Sequence, residues 1–251
     1  MERLIPEKLP RHIAIILDGN GRWAKKRNLS RIEGHRKGAD SVRKIVRACR
    51  EIGIPVLTLY VFSEENWKRP QEEVWALMEL LKDYLRSELK EMLENDIKLM
   101  ASGNLHHLPQ DVYHLLMETM EATRHNSRMI LNLALSYGGR TEILDAIRKI
   151  MWDYKEGLIR PEDITAERFS SYLYTADLPD PDLLIRTSGE FRISNFLLWQ
   201  IAYTELYITD TLWPDFAKED LIMALVEYQN RERRFGLTGE QIEASPCVQE
   251  K

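Results

Sequence analysis

The chain has 251 residues, of which 44% are hydrophobic and 30% charged, so it holds enough apolar material for one large domain or two small ones. Its 35 basic and 40 acidic residues give a net charge of −5, which argues against a generally basic nucleic-acid-binding protein, and we expect no nucleic acid partner. The sequence lacks an apolar run of membrane-spanning length, an N-terminal secretion signal and metal-type cysteine spacing, and therefore predicts a cytoplasmic protein without a disulfide framework or zinc site.

Six apolar runs predict strands. Runs of this kind, nearly uninterrupted by polar residues, are typical of parallel strands buried on both faces. In chain order the predicted strands are His12–Asp18, Val56–Ser63, Ile97–Ser102, Met129–Tyr137, Asp182–Ser188 and Glu205–Thr209.

Longer segments between the strands carry apolar residues at helical spacing. They predict helices over Gly38–Ile52, Val74–Leu93, Arg140–Tyr154 and Lys218–Arg234. Alternating strands and helices indicate a single α/β domain with a central parallel sheet surrounded by helices. We place this domain at residues 12–236, after an N-terminal segment at 1–11 and before a tail at 237–251 that we expect to be flexible.

Polar loops follow three of the predicted strands, where the ligands of an open parallel sheet bind. Each loop combines arginines with glycine or hydroxyl residues, and such loops suit a polyphosphate because backbone N–H groups and guanidinium forks both bind phosphate oxygens. Asp18 stands among these basic residues and is a candidate ligand for Mg²⁺, which binds few carboxylates together with substrate phosphates. The three loops are residues 18–23 (DGNGRW), 63–70 (SEENWKRP) and 186–195 (RTSGEFRISN).

Each of these residues also has a plain structural interpretation. Asp18 would cap a turn before glycine, and the basic run after Arg22 would form a solvated face. Trp23 and Trp67 would be core aromatics, and His35 a polar residue near a helix start. The polyphosphate interpretation is favoured because three separate strand ends repeat one anion-binding chemistry, which packing does not require.

Other sequence motifs give weaker indications. Residues 19–24 (GNGRWA) fit a loose dinucleotide-binding pattern, which would indicate an oxidoreductase, but Asp18 and Arg22 give the loop a different electrostatic character. The Walker A, G-x-S-x-G and H-E-x-x-H motifs are absent. The aspartate-rich segment 177–182 contains prolines and cannot form the helical face of an all-α terpene enzyme.

Three long motifs and a short fourth, in order along nearly the whole chain, give the sequence a specific likeness. HIAIILDGNGRWAKKR, FSEENWKRP and RTSGEFRISNFLLWQIAYTELYITDTLWPDF, followed by NRERRFG, resemble the cis-prenyltransferase family of undecaprenyl diphosphate synthase-like enzymes. The resemblance implies repeated addition of isopentenyl diphosphate to an allylic diphosphate primer, for which farnesyl diphosphate is the expected example. It also implies Mg²⁺ as cofactor, a hydrophobic tunnel for the growing chain, a homodimer, and a tunnel that would allow peripheral contact with a membrane.

The same resemblance implies roles for individual residues. Asp18 would be catalytic and hold the metal, with Glu205 as a second metal-associated acid. Asn66 matches the position proposed as proton acceptor, but an amide is a poor base, so we expect it to position substrate. The expected substrate-binding residues are Gly19, Asn20, Gly21, Arg22, Trp23, Arg31, His35, Ser63, Glu64, Glu65, Trp67, Arg69, Arg186, Arg192, Ile193 and Ser194.

Two positions depart from the family pattern. Phe191 stands where many bacterial members carry histidine, which puts a metal or phosphate contact there in doubt. Val61 stands where a smaller alanine is common in long-chain enzymes, so a valine lining the tunnel would shorten the product. The family motifs and chain length predict undecaprenyl diphosphate for cell-wall lipid carrier synthesis, with a shorter product as the alternative. A non-catalytic partner subunit would lack the strand-end aspartate and arginines that this chain retains.

Overall fold

The strands of the computed structural model, which describes residues 4–232, form one sheet. They are β1 (His12–Ile16), β2 (Val56–Ser63), β3 (Ile97–Ser102), β4 (Met129–Tyr137), β5 (Leu183–Arg186) and β6 (Glu205–Ile208). Their order is β3-β4-β2-β1-β5-β6, and every neighbouring pair is parallel. The six predicted strands are confirmed, although β1, β5 and β6 end earlier than predicted.

Seven α-helices accompany the sheet over the same described range. They are α1 (Asn20–Lys26), α2 (Arg31–Ile52), α3 (Gln71–Glu94), α4 (Gln110–Ala122), α5 (Gly139–Lys155), α6 (Ala166–Ser170) and α7 (Lys218–Gln229). The predicted single α/β domain with a parallel sheet is thus confirmed as to fold class. The predicted domain end at 236 and the predicted tail at 237–251 lie outside the described residues.

Helix α2 begins at Arg31, well before its predicted start at Gly38. Ser30 caps this end: its hydroxyl accepts the N–H of Glu33 at 3.3 Å, while the Glu33 carboxylate accepts the N–H of Ser30 at 2.9 Å. Such a reciprocal capping box stabilises a helix start without any apolar face. The prediction was wrong here because it relied on apolar periodicity, which begins only after this polar first part of the helix.

Residues alternate between the two faces of the sheet, as strand geometry requires. Ile13 and Ile15 of β1 belong to the larger core, where α2, α3, α4 and α7 pack on the sheet. Ala14 and Ile16 belong to a smaller core on the other face, which includes Phe196 and its neighbours. The helices α2 and α3 lie side by side on the larger-core face.

A buried chain of polar side chains crosses four strands on the smaller-core face. His12 donates from Nδ1 to the carbonyl of Pro179 at 2.6 Å, so its Nε2 accepts from the Thr58 hydroxyl at 2.7 Å. Asn132 donates to the Thr58 oxygen at 3.2 Å and accepts from Ser102 at 3.1 Å. All four side chains are buried, so each depends on the next for its hydrogen bond.

The connectivity of the sheet changes direction beside β1. The chain passes from β1 to β2 on one side, whereas β5 and β6 lie on the other side. A crevice for ligands is expected at such a switch point, at the carboxyl ends of β1 and β5. None of the helices between residues 4 and 232 is both long and apolar enough to cross a membrane.

Candidate active site

A cavity of about 1110 Å³ opens at the carboxyl ends of β1, β2 and β5. The structure brings most of the predicted site residues around its polar part. They are Asp18, Gly19, Asn20, Gly21, Arg22, Arg31, His35, Ser63, Glu65, Asn66, Arg69, Arg186, Arg192 and Ser194. The three polar loops that follow separate strands in the sequence therefore meet at one site.

Asp18 lies at the centre of this polar part. Its Oδ2 accepts a hydrogen bond from Nη2 of Arg186 at 2.9 Å, and its Oδ1 is 3.4 Å from Nη2 of Arg22. Burial by itself would raise the pKa of Asp18, but the hydrogen bond from Arg186 and the charges of both arginines outweigh it. The pKa of this carboxyl therefore lies below its ordinary value, and the group is a carboxylate at neutral pH.

Arg186 is held in place on several sides but keeps one donor free. Its Nη1 donates to the hydroxyl of Ser194 at 2.8 Å and to the carbonyl of Arg192. Its Nε is buried and has no hydrogen-bond partner. A buried donor without a partner is costly, so this nitrogen favours an acceptor supplied by a ligand.

Arg22 reaches the loop after β5 from helix α1. Its Nη1 donates to the carbonyl of Ser188 at 3.0 Å and lies 3.0 Å from Glu190, and its Nη2 donates to the Ser188 hydroxyl. Acidic Glu190 also pairs with Arg192. Arg22 and Arg192 are each half-exposed and share this acid, so an anionic ligand can replace it as their partner.

Gly19 lets the chain turn from β1 into α1. Its φ of +110° lies in a region that L side chains rarely adopt, and an added Cβ would come within 3.0 Å of Leu212. Gly38 allows α2 to approach the start of α1, because a Cβ there would come within 2.4 Å of the Asn20 side-chain oxygen. These glycines place the backbone of residues 19–21 at the cavity.

Glu73 of α3 contacts three basic side chains that line the cavity. Its Oε1 lies 3.0 Å from Arg69, 3.1 Å from Arg31 and 3.3 Å from Nε2 of His35. Burial and the charges of Arg69 and Arg31 lower the pKa of His35, against the raising effect of Glu73, and the pKa lies below its ordinary value. The sequence analysis did not predict Glu73, and its position near the start of α3 gave no signal of these contacts.

Ser63 ends β2, and Glu65 and Asn66 lie in the turn that follows it. The side-chain oxygen of Asn66 accepts the Ser63 N–H at 3.1 Å and so shapes this turn. Asn195, a cavity residue that the sequence analysis did not single out, donates to Glu65 at 2.9 Å. Burial would raise the pKa of Glu65, but hydrogen bonds including that from Asn195 lower it overall.

The cavity continues from its polar part into an apolar part between α2 and α3. This second part is lined by Ala39, Val42, Val61, Leu77, Leu80, Leu81, Tyr84 and Leu133. Val61 therefore lies on the wall, at the position where the sequence predicts an effect on product length. A site with a cationic end and an apolar extension suits a molecule that has an anionic head and a hydrocarbon tail.

Several predicted substrate-binding residues do not line this cavity. Trp23 is buried and donates to Asp215 at 2.7 Å, and Trp67 donates to Ser136 at 2.9 Å, so both hold the fold around the site. Glu64 accepts from Thr141. Ile193 packs against the smaller core.

Glu205, the second acid that the resemblance associates with the metal, does not lie beside Asp18 in this chain. It begins β6 beside Leu183, whereas Asp18 follows the carboxyl end of β1. From the rise per residue and the spacing between strands, the two residues are roughly 16 Å apart along the strand direction and about 10 Å apart across the sheet. Glu205 instead forms an ion pair of 3.0 Å with Arg231, so within this chain it does not share a metal ion with Asp18.

Residues 4–232 contain no group of three or more His, Cys, Asp and Glu side chains that could hold a metal ion. Asp18 nevertheless fits Mg²⁺, because that ion takes one or two carboxylates and completes its shell with substrate phosphates and water. Phe191 is 85% exposed and makes no contribution to the cavity wall.

Comparison with known sequences gives matches over nearly the whole chain. Residues 16–236 match the protein family described as "Putative undecaprenyl diphosphate synthase". An isoprenyl transferase of Geobacter sulfurreducens is 54% identical over 242 residues, which cover 96% of this chain and 98% of that protein. An isoprenyl transferase of Heliobacterium mobile is 50% identical over 235 residues, covering 94% and 90% respectively.

Solved structures give the same answer. Lavandulyl diphosphate synthase from Lavandula x intermedia, crystallised with dimethylallyl diphosphate, is 40% identical with a TM-score of 0.90 and covers 92% of this chain and 99% of its own. A probable undecaprenyl diphosphate synthase from Campylobacter jejuni is 34% identical with a TM-score of 0.74, covering 94% and 100%. The chain belongs to the undecaprenyl diphosphate synthase family of isoprenyl transferases, which are prenyl-transferring enzymes.

Proposed function

We propose that this enzyme condenses isopentenyl diphosphate repeatedly with an allylic diphosphate primer and releases diphosphate at each step. The observation that carries this proposal is the single cavity in which an arginine-rich end continues into an apolar passage between α2 and α3. The allylic primer class is supported by the dimethylallyl diphosphate bound to the related lavandulyl diphosphate synthase. Farnesyl diphosphate is the primer to test first, because its longer tail would occupy more of the apolar passage.

In each condensation, the C–O bond of the allylic diphosphate breaks and its C1 bonds to C4 of isopentenyl diphosphate. A proton leaves C2 of the latter, and diphosphate is the leaving group. The leaving diphosphate gains negative charge as the bond breaks. Arginines already positioned there stabilise the transition state more than the ground state.

We assign the two diphosphates to two groups of residues. Residues 19–21 and the side chains of Arg22, Arg31, His35 and Arg69 would bind the primer diphosphate next to the apolar passage. Arg186, Arg192 and Ser194 would bind isopentenyl diphosphate, and the unpartnered Nε of Arg186 supports an acceptor at that place. Holding the two reacting carbons together in this way supplies the orientation that the bond-forming step requires.

Asp18 would hold Mg²⁺ together with the diphosphate oxygens. When bound, Mg²⁺ neutralises charge on the diphosphate and assists its departure. Arg22 and Arg186 keep the Asp18 carboxylate ionised and fix its position.

Asn66 would position substrate rather than remove the proton. Its side-chain oxygen already accepts the Ser63 N–H, and an amide is a weak base. Ser63 and Glu65 lie on the same turn and would orient isopentenyl diphosphate against the primer.

We propose undecaprenyl diphosphate as the product, in line with the family match over residues 16–236. The alternative is a shorter polyprenyl diphosphate, and Val61 on the cavity wall favours that alternative because it takes up more space than alanine. The two products differ in mass by whole isoprene units, so one assay distinguishes them.

We also propose that the enzyme is a homodimer that pairs through α5. Leu144, Ile147, Met151 and Leu158 are exposed apolar residues at helical spacing along this helix or just after it. An apolar stripe of this kind on a monomer marks an interaction surface, and a second copy presents the same stripe for self-complementary pairing.

The direct test is incubation of the protein with Mg²⁺, farnesyl diphosphate and excess isopentenyl diphosphate, followed by mass spectrometry of the products. We expect a ladder of polyprenyl diphosphates that requires Mg²⁺ and is absent with Asp18→Ala. Folded wild-type protein that forms no product from any allylic primer would contradict the proposed activity and favour a non-catalytic partner subunit.

A further inference from the structure

The apolar part of the cavity ends at Tyr84 of α3. Along this helix Leu77, Leu80 and Leu81 line the cavity, and Tyr84 is the last residue of α3 to do so. Its side chain is 6% exposed, so the ring is packed into the core rather than turned toward solvent. Leu85, the next residue, is fully buried in the larger core and does not line the cavity.

An ion pair between a buried glutamate and a partly buried arginine lies beyond Tyr84. Glu88, one helical turn farther along α3, accepts a hydrogen bond of 2.7 Å from Nε of Arg43 on α2. The Arg43 guanidinium carbon is 5.8 Å from the centre of the Tyr84 ring, and its Nη2 donates to Ser87 at 3.1 Å. Arg43 also pairs with Asp40 at 3.2 Å.

We propose that Tyr84 is the residue that limits the length of the prenyl chain, and that Arg43 and Glu88 are positioning residues that hold it there. This inference rests on the proposed polyprenyl synthesis. A prenyl chain that grows toward Tyr84 contacts its aromatic ring. The ring cannot move away from the chain, because Arg43, Glu88 and Ser87 occupy the space behind it.

Growth of the prenyl chain past Tyr84 would be energetically unfavourable. To grow past Tyr84, a hydrocarbon would have to separate α2 from α3 and press against Arg43 and Glu88. Glu88 is only 9% exposed, and displacing Arg43 would leave its charge without this partner in a buried environment, which is strongly unfavourable. An apolar chain offers nothing to replace the hydrogen bonds that would be lost.

The decisive variant is Tyr84→Ala, with Tyr84→Phe as its matched control. Alanine removes about seven heavy atoms and an isoprene unit adds about five carbons, so the space left behind holds about one further unit. We expect the main product of Tyr84→Ala to be longer than that of wild type by at least one isoprene unit. Tyr84→Phe keeps the ring and should keep the wild-type product length.

Glu88→Gln tests the positioning role separately. It keeps the shape of the side chain but removes the charge that holds Arg43 behind Tyr84. We expect its product distribution to extend toward longer chains while the rate of the first condensation stays within about twofold of wild type. Thermal unfolding followed by circular dichroism shows whether each variant is folded, and Tyr84→Leu replaces Tyr84→Ala if the latter is not.

Folded Tyr84→Ala or Tyr84→Leu with the wild-type product length would overturn the proposal. A longer product from Val61→Ala without any change in the Tyr84 variants would place the limit at Val61 instead. Either result differs from failure of the proposed function, in which wild-type protein itself would elongate no primer.

Discussion

Arg186 donates a hydrogen bond of 2.9 Å to Asp18, and this contact joins the carboxyl end of β5 to that of β1. The two strands are neighbours in the sheet but lie far apart in the sequence, and the connectivity reverses between them. The central carboxylate of the site is therefore positioned by the sheet itself rather than by a mobile loop. Arg186 is almost completely buried, which fixes the direction from which it approaches Asp18.

We expect Asp18→Asn to lower kcat by about a hundred- to a thousandfold, the usual loss when one preorganised electrostatic group is removed from an active site. The amide has a similar shape, so the fold should persist, but it cannot attract Mg²⁺ or pair with two arginines. Steady-state condensation assays would measure the effect. Glu51→Gln is the control, since Glu51 pairs with exposed Lys218 and lies outside the cavity. A loss smaller than tenfold for Asp18→Asn would argue against a central role.

Binding of Mg²⁺ and of diphosphate should depend on one another. The described residues offer no protein-only metal site, so the ion would need phosphate oxygens beside Asp18. We expect Mg²⁺ to tighten the binding of inorganic diphosphate by roughly tenfold, a coupling of about 1.4 kcal/mol. Isothermal titration with and without Mg²⁺ measures this difference. The difference should disappear in Asp18→Asn, and an equal effect of Mg²⁺ on both proteins would exclude Asp18 as the ligand.

Acid should destabilise the fold through His12. Burial lowers the pKa of His12 to about 4, from an ordinary value near 6.5. Between these values the unfolded chain binds a proton that the folded chain does not. The free energy of unfolding is therefore unaffected by His12 above about pH 6.5 and decreases as the pH falls. The loss reaches about 3 kcal/mol near pH 4.

Urea unfolding of wild type and His12→Asn over this pH range tests the His12 prediction. The variant should be less stable at pH 7, because it disrupts buried hydrogen bonds, but should lose less stability between pH 6.5 and 4. Parallel pH profiles for the two proteins would show that His12 does not cause the acid sensitivity.

Met151→Glu should separate the proposed dimer. Met151 is 65% exposed on α5, and burying such a side chain contributes about 1.5–3 kcal/mol. A two-fold interface contains the residue twice, so we expect the dissociation constant to rise at least about a hundredfold. Light scattering after size exclusion measures the mass. Met223→Glu, at an exposed methionine on α7, is the matched control and should leave the dimer intact. A monomeric wild type would contradict the proposal.

The sheet could be predicted from the sequence because its inner strands are buried and therefore apolar, while the edge strand β6 is only partly buried but still contains three apolar residues. Val56–Ser63, Ile97–Ser102 and Met129–Tyr137 have the predicted bounds. Helix α1 was not predicted, because it has only seven residues, most of them polar, and carries no apolar stripe. Helix α4 was also missed, although its apolar residues pack against α3.

The sequence also predicts that the three polar loops lie close together, because the carboxyl ends of parallel strands lie at the same edge of the sheet. The role of Glu73 could not be predicted, because a single acid in a long helix gives no sign of which basic residues it will face. The metal role of Glu205 came from the family resemblance alone. As the first residue of a parallel strand, Glu205 lies at the edge of the sheet opposite to the carboxyl ends and therefore away from Asp18.

The buried hydrogen-bonded side chains from His12 to Ser102 determine how precisely the site residues at the strand ends are positioned. Shifting β1 or β2 by a single residue would turn His12 or Thr58 to the opposite face and leave their partners without hydrogen bonds, at a cost of about 1–3 kcal/mol for each group. Purely apolar strands tolerate such slips more easily. The buried hydrogen bonds thus fix the register of β1 against β2. As a result, Asp18 and Ser63, at the carboxyl ends of these strands, both line the same cavity.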